Sequence, residues 1–310
     1  MRDYAHEKTD EILESLEKKL ARHYESVTKQ ANKKYAETMQ SFYKEKARKE
    51  DEVENGYMTE DEYEEWLRKQ SNSTKARQAI NDLTDSAVKA DSKAADIING
   101  TLAGIFLINM RWAANSVKEQ NGGVKISTEL IRHDSVEEIQ AYYEQLKKRR
   151  EARKLWEQAE IDIMKDKEWN KGHFYSVVKH GIDRGYSIDK ISKQLEQVFD
   201  MDKNAAKRWA RTTVTGVENE ARLQYAIELL EKGYDVQKQW ISTIDKRTRD
   251  SHRKLNHENR NVMEDFSNAL RFPGDTFTND PGEYINCRCR MNINIIGRPS
   301  EGESDEPDYS

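Results

Sequence analysis

Five side chains late in the chain could do chemistry: Asp245, His252, Glu283, Cys287 and Cys289. The two cysteines are the only ones in 310 residues, and a single residue separates them. On a strand that spacing turns both sulfurs to one side and Arg288 to the other. A Cys-x-Cys pair closes too tight a ring for ordinary disulfide geometry. Zinc accepts mixed His, Cys and carboxylate sets in a tetrahedral arrangement. A Cys–His pair could instead serve as nucleophile and base, although no third orienting group or oxyanion loop is evident. The plainest reading makes both cysteines small buried packing residues and His252 a hydrogen-bonded helix residue. Asp245 and Arg247 stand two apart after a strand, so they are expected to form an ion pair that pins the turn. Arg288 offers a guanidinium anchor for a phosphate or carboxylate.

Certain elements must position these groups. Val236 to Ile241 reads as a strand. From Arg290 to Ile296, Met291, Ile293 and Ile295 alternate with Asn292 and Asn294, the pattern of a strand with one buried face. Pairing these two strands gives a small sheet, with a short helix at Arg249–Leu255 between them. Only that pairing brings His252 to the cysteines. Trp240 opens the segment and Asn286-Cys287-Arg288-Cys289 closes it.

This constellation resembles the C-terminal domain of the Mu F-like minor head proteins of tailed bacteriophages, also called head morphogenesis proteins. The shared pattern is Trp240 in a strand, then Asp245-x-Arg247-Thr248, a short helix bearing His252, a Pro273-Gly274-Asp275 loop, and Asn286 to Cys289. Ala210-Arg211-Thr212-Thr213 and Asn219-x-Ala221-Arg222 also match, though the family often has Glu where Thr213 stands. The resemblance covers about residues 160 to 296. Members carrying Cys where Arg249 and His252 stand, and a His near Glu283, imply metal ligation by His252, Cys287 and Cys289, with Glu283 or Asp245 as a fourth ligand. Structural zinc is the cofactor so implied. Arg249 removes one possible ligand here, and His257 stands where the family usually has glycine.

Upstream the texture is helical. Charged and hydrophobic residues each make up 35%, mean hydropathy is −1.03, and prolines number four. Lys, Glu, Ala and Leu without breakers favour long helices. Ile12, Leu13, Leu16, Leu20, Tyr24, Val27 and Tyr35 recur at three- and four-residue steps, so one amphipathic helix is expected from Tyr4 to Arg48. Asn55-Gly56 ends it. Thr59 with Glu62 reads as a capping box before a Tyr63, Trp66, Leu67 stripe. A helix at Ser73–Asn99 and a packed apolar helix at Leu102–Met110 follow, the second too short to span a bilayer. Asn121-Gly122-Gly123 is a turn. Ser135 caps the next helix, which carries Lys147, Lys148, Arg149 and Arg150. That run reads either as a solvated face or as a DNA phosphate contact. Helices are then expected at Gly172–Arg184, Ser187–Val198 and Lys203–Glu231. The Gly185-Tyr186-Ser187 junction suits a plain helical hairpin better than a DNA-reading motif, and Gly233 caps the last helix.

The net charge of −5 is mostly local: from Arg298 to Ser310 five acids face one base. Bulk polyanion binding is therefore excluded, and nucleic-acid contact must come from local patches. The polar N-terminus suggests no signal peptide. The expected fold is mainly α, with elongated helical N-terminal and middle regions and a small α+β C-terminal domain. Its parts are a helical N-terminal region (1–134), a helical middle region (135–233), a Mu F-like α+β domain (234–297) and an acidic disordered tail (298–310). The resemblance implies a non-enzymatic virion component of the capsid interior, present in the host cytoplasm during assembly. It would bind the portal protein, with scaffold and major capsid proteins as further partners, and influence DNA packaging or delivery. Weak, non-specific DNA binding and no membrane span complete the expectation. The alternative is an enzyme of nuclease or transferase type centred on His252, Cys287 and Cys289, although no segment resembles an added toxin domain.

Overall fold

The computed structural model describes residues 2–123, 125, 126, 128, 135–151, 156–276, 278 and 280–298, without the side chains of 143, 144 and 146–166. Among these residues the order is α1 (Tyr4–Glu54), α2 (Glu60–Ser71), α3 (Thr74–Gln120), α4 (Val136–Glu151), α5 (Trp156–Asp183), α6 (Ile188–Glu231), β1 (Asp235–Ile241), α7 (Asp250–Lys254), β2 (Asn259–Asn261), α8 (Pro281–Tyr284) and β3 (Arg290–Gly297). The protein is mainly α with a small antiparallel sheet near its C-terminal end.

The expected start and stop signals operate. Gly56 takes φ +73° after α1, a conformation open to glycine at little cost. Thr59 accepts from the Glu62 N–H while the Glu62 side chain accepts from the Thr59 N–H, so both halves of the capping box form. Ser135 and Glu138 cap α4 in the same way. Gly233, at φ +82°, closes α6 with Tyr234 N–H donating back to the Leu229 carbonyl.

Two expected breaks are absent. The helices expected at Ser73–Asn99 and Leu102–Met110 are one helix, α3, running straight through Gly100 and Gly104. A mid-helix glycine costs about 1 kcal/mol, which the burial of Ile98, Leu102, Ile105 and Phe106 outweighs. Likewise α6 joins the two helices expected at Ser187–Val198 and Lys203–Glu231, since no proline or glycine interrupts Phe199 to Asn204. By length and composition one 18-residue window of α3 could cross a membrane, but 61% of it is buried within the protein.

The chain divides into two compact units, each assembled from separated stretches. One comprises Leu16–Ile97 and Arg153–Lys207. Its core combines Tyr35, Met39 and Phe42 of α1, Leu67 of α2, Ile80 and Leu83 of α3, and Phe174, Val178, Ile191 and Phe199 of α5 and α6. Gly181 lets α5 approach the next helix closely, because a Cβ there would stand 2.6 Å from Ile191 Cδ1. This is the expected hairpin packing across Gly185 and Ser187.

The other unit comprises Met1–Ser15, Ile98–Ala152 and Arg208–Ser310. It contains the three-stranded sheet, in order β2-β1-β3, all antiparallel. Val236 pairs with Ile295, Lys238 with Ile293 and Trp240 with Met291. Val236, Lys238 and Trp240 share the buried face of β1, and Met291 and Ile293 that of β3. The edge strand β2 was not expected, being only three residues of polar Asn-Arg-Asn.

Candidate functional site

The Asn286–Cys289 motif lies along one stripe of α6. The Asn286 N–H donates to Thr212 Oγ1 (3.0 Å), and Thr215 Oγ1 donates to the Cys287 carbonyl (2.8 Å). Asn219 Nδ2 donates to the carbonyls of Cys289 and Pro273 (both 3.1 Å), while Asn219 Oδ1 accepts from the Met291 N–H (2.7 Å). Arg222 Nη1 donates to the Met291 carbonyl (3.0 Å). The spacing of these four residues places them on one helix face. Ten helical residues rise about 15 Å, and five extended residues span about 16 Å. The two repeats therefore stay in step from Thr212 with Asn286 to Arg222 with Met291. Asn286 sits at φ +54°, which asparagine tolerates better than most residues.

That fastening sets the chemical group. Cys287 Sγ lies 3.8 Å and Cys289 Sγ 3.4 Å from His252 Nδ1. His252, Cys287 and Cys289 are 2%, 1% and 3% exposed. His252 comes from α7, whose position is held by Ser242 Oγ donating to the His252 carbonyl (2.5 Å). The Trp240 ring packs edge-on against His252 and Phe266, with centroids 5.2 Å from each, and so fixes the imidazole plane. Trp240, Leu255, Phe266, Leu270 and the two cysteines form one small core. The pairing of β1 with β3 that the approach of His252 requires is present.

Glu283, a candidate fourth ligand, stands on the other side of the ring: its Oε2 is 3.2 Å from Nε2, whereas the thiols face Nδ1. Asn268 Nδ2 donates to it (2.9 Å). Burial opposes its ionisation, but Asn268, Ser251 and His252 together hold its pKa below the usual carboxylate range. The thiols are pushed apart. Burial drives Cys287 well up, while the hydrogen bond from Cys287, and then His252, brings Cys289 down to about 4.

The expected Asp245–Arg247 ion pair forms, but at 3.9 Å and with Arg247 exposed it is the looser of two. Asp245 takes both Nη atoms of Arg288 at 2.6 and 2.7 Å. The Arg247 N–H does donate to Asp245 Oδ1 (2.8 Å), so its backbone helps close the turn. A bidentate fork is the stronger partner. Arg288 thus anchors a carboxylate, and that carboxylate is internal. Beside this pair a small polar cleft is lined by Thr243, Thr248, Arg249, His252, Asn286 and Cys289 among others. Arg249, where a ligand was in question, donates to the Ile285 carbonyl. His257 is exposed and takes φ +66°. Lys147, Lys148, Arg149 and Arg150 fall on α4, and their side chains lie outside the described residues.

Residues 172–292 match the family described as phage Mu protein F like protein. These residues form a Mu F-like domain. The chain is also 28% identical, over 110 residues, to the NAD(+)--arginine ADP-ribosyltransferase EFV of Enterococcus faecalis (strain ATCC 700802 / V583). That match takes in 35% of this chain and spans only 23% of the relative's length. No solved structure matches the chain.

Within the Mu F-like domain, Asn219 and Arg222 stand out as fasteners whose role the sequence did not reveal. Arg222 is fully buried. It donates to both Asp3 carboxylate oxygens (2.8 and 3.0 Å), to Asn109 Oδ1 (2.8 and 3.2 Å) and to Glu218 Oε1 (2.9 Å), with its guanidinium 4.1 Å from the Trp112 ring centroid. Glu218 also faces His6 Nδ1 at 2.9 Å. A buried cation is tolerable only when so paired. The sequence signal was present in Asn219-x-Ala221-Arg222, but nothing local names partners that far along the chain.

Proposed function

We propose that this chain is a minor head protein of a tailed phage, carried in the capsid interior after assembly in the host cytoplasm. In this reading it attaches to the portal protein during procapsid assembly, beside scaffold and major capsid proteins, and influences DNA packaging or delivery. The family match over 172–292 carries the proposal. The domain it covers supports an attachment role: its polar residues are spent on internal fastening, as Asn219, Arg222, Asp245 and Arg288 illustrate. Co-expression with the portal protein of the same phage, followed by gel filtration, tests it. Co-elution with the portal ring is expected, and separate elution at micromolar concentrations would sink the attachment.

Weak DNA contact through Lys147, Lys148, Arg149 and Arg150 extends the proposal. It should be independent of sequence and fall steeply with salt. A gel shift unchanged when all four become glutamate would remove it.

A second reading is an enzyme of nuclease or transferase type centred on His252, Cys287 and Cys289. The activity for which the enterococcal relative is named and the nearness of His252 to both thiols favour it. The match spans under a quarter of that relative, and all three groups are buried. Turnover of a nucleic acid or of NAD by the purified chain, lost in His252→Ala, would decide for the enzyme.

A further inference from the structure

Three buried, metal-ligating atoms converge where the helix α7 meets the Cys287–Cys289 segment that leads into β3. His252 Nδ1, Cys287 Sγ and Cys289 Sγ all lie within 4.8 Å of one another. A tetrahedral zinc, with bonds of about 2.3 Å to sulfur and about 2.0 Å to nitrogen, sets sulfur–nitrogen edges of about 3.5 Å. The observed edges, 3.4 and 3.8 Å, bracket that value. We propose that these three atoms bind one zinc ion, with Glu283 outside the ligand set and the fourth position open to the cleft lined by Thr248, Arg249 and Asn286.

The surroundings favour ligation over simple packing. Glu283 Oε2 stands 3.2 Å from Nε2, and Nδ1 is the ring nitrogen that faces the thiols. This carboxylate–histidine arrangement is the one that supports a metal-bound imidazole, and Asn268 in turn fixes the carboxylate. Two thiols aimed at one ring nitrogen need at most one hydrogen bond between them, whereas a metal uses all three atoms. The Cys289 N–H donates to Cys287 Sγ (3.5 Å), which helps fix the direction of that sulfur. The carbonyls on both cysteines are tied to Thr215 and Asn219, so the sulfurs are preset. The cleft has room for about one water molecule, which fits solvent as the fourth ligand.

The test uses the full-length chain, purified under reducing conditions without added metal. Elemental analysis should find about one zinc per chain. After chelation the melting temperature should fall. Titration of the stripped chain with cobalt(II) should give tetrahedral visible bands and thiolate charge-transfer absorption, both displaced by zinc. Cys287→Ser with Cys289→Ser should lose the charge-transfer band, with far-ultraviolet circular dichroism confirming the fold. Glu283→Gln keeps every ligand and should weaken zinc binding about 10- to 100-fold. Stripped wild-type chain that gives no charge-transfer band, and no rise in melting temperature with zinc, would overturn the site. So would equal zinc affinity in the folded double cysteine variant.

Discussion

Asp245 shows how one carboxylate can have a nearer partner than the arginine beside it in sequence. In sequence Arg247 is two residues away and Arg288 forty-three, yet the fork of Arg288 is the closer partner, with both Nη atoms on the carboxylate. That contact, with the Arg247 N–H, holds the Asp245 pKa well below the usual range. A depressed carboxylate pKa contributes stability that is complete above the unfolded-state value, near 3.9, and is lost as pH falls towards the folded value. The gap in urea midpoint between the parent and Asp245→Asn should hold constant from about pH 8 to about pH 5, then close below about pH 4. A gap that grew on acidification would reverse the sign of the argument. His257 is a second residue-scale case. Its φ of +66° belongs to the left-handed region, where a side chain costs about 1–2 kcal/mol. Glycine forfeits about 0.5–1 kcal/mol through the freedom of the unfolded chain. His257→Gly should therefore be neutral to stabilising by up to about 1 kcal/mol in urea unfolding. A clear loss would mean that the imidazole makes an interaction the backbone argument omits.

At the scale of elements, α6 is the ruler against which the C-terminal motif is laid. Gly216 sits on the same part of α6 as Thr215 and Asn219, and a Cβ there would stand 2.9 Å from the Gly274 carbonyl oxygen. Helix propensity alone favours alanine by about 1 kcal/mol. The clash is with backbone, not with a side chain that can swing away, and overpacking of this kind costs about 1–3 kcal/mol. Gly216→Ala should thus destabilise, and chemical denaturation giving a net gain would refute the close approach. Much of the element plan was legible: caps at Thr59, Ser135, Ser187 and Gly233, the β1–β3 pairing, and the side shared by the two sulfurs. The glycines of α3 were misread because a local breaker signal was set against tertiary burial that a sequence does not display. The edge strand β2 was illegible for a related reason, since Asn259-Arg260-Asn261 gains its hydrogen bonds from β1 and carries no apolar alternation of its own.

For the whole molecule, the sequence made the family visible through a scattered motif whose parts the structure gathers into one unit. Trp240 and the cysteines share a small core against His252, while Asn219 and Arg222 tie that core to the carbonyls of the closing strand. What the motif could not convey was the division of labour around His252, because Glu283 and the thiols approach opposite ring nitrogens. The central claim concerns where such a chain works. Quantitative mass spectrometry of purified capsids, from wild-type phage and from assemblies lacking the portal protein, addresses it directly. A few copies per wild-type capsid, lost when the portal is missing, is the predicted result. Absence from wild-type capsids, or the same copy number without the portal, would contradict it.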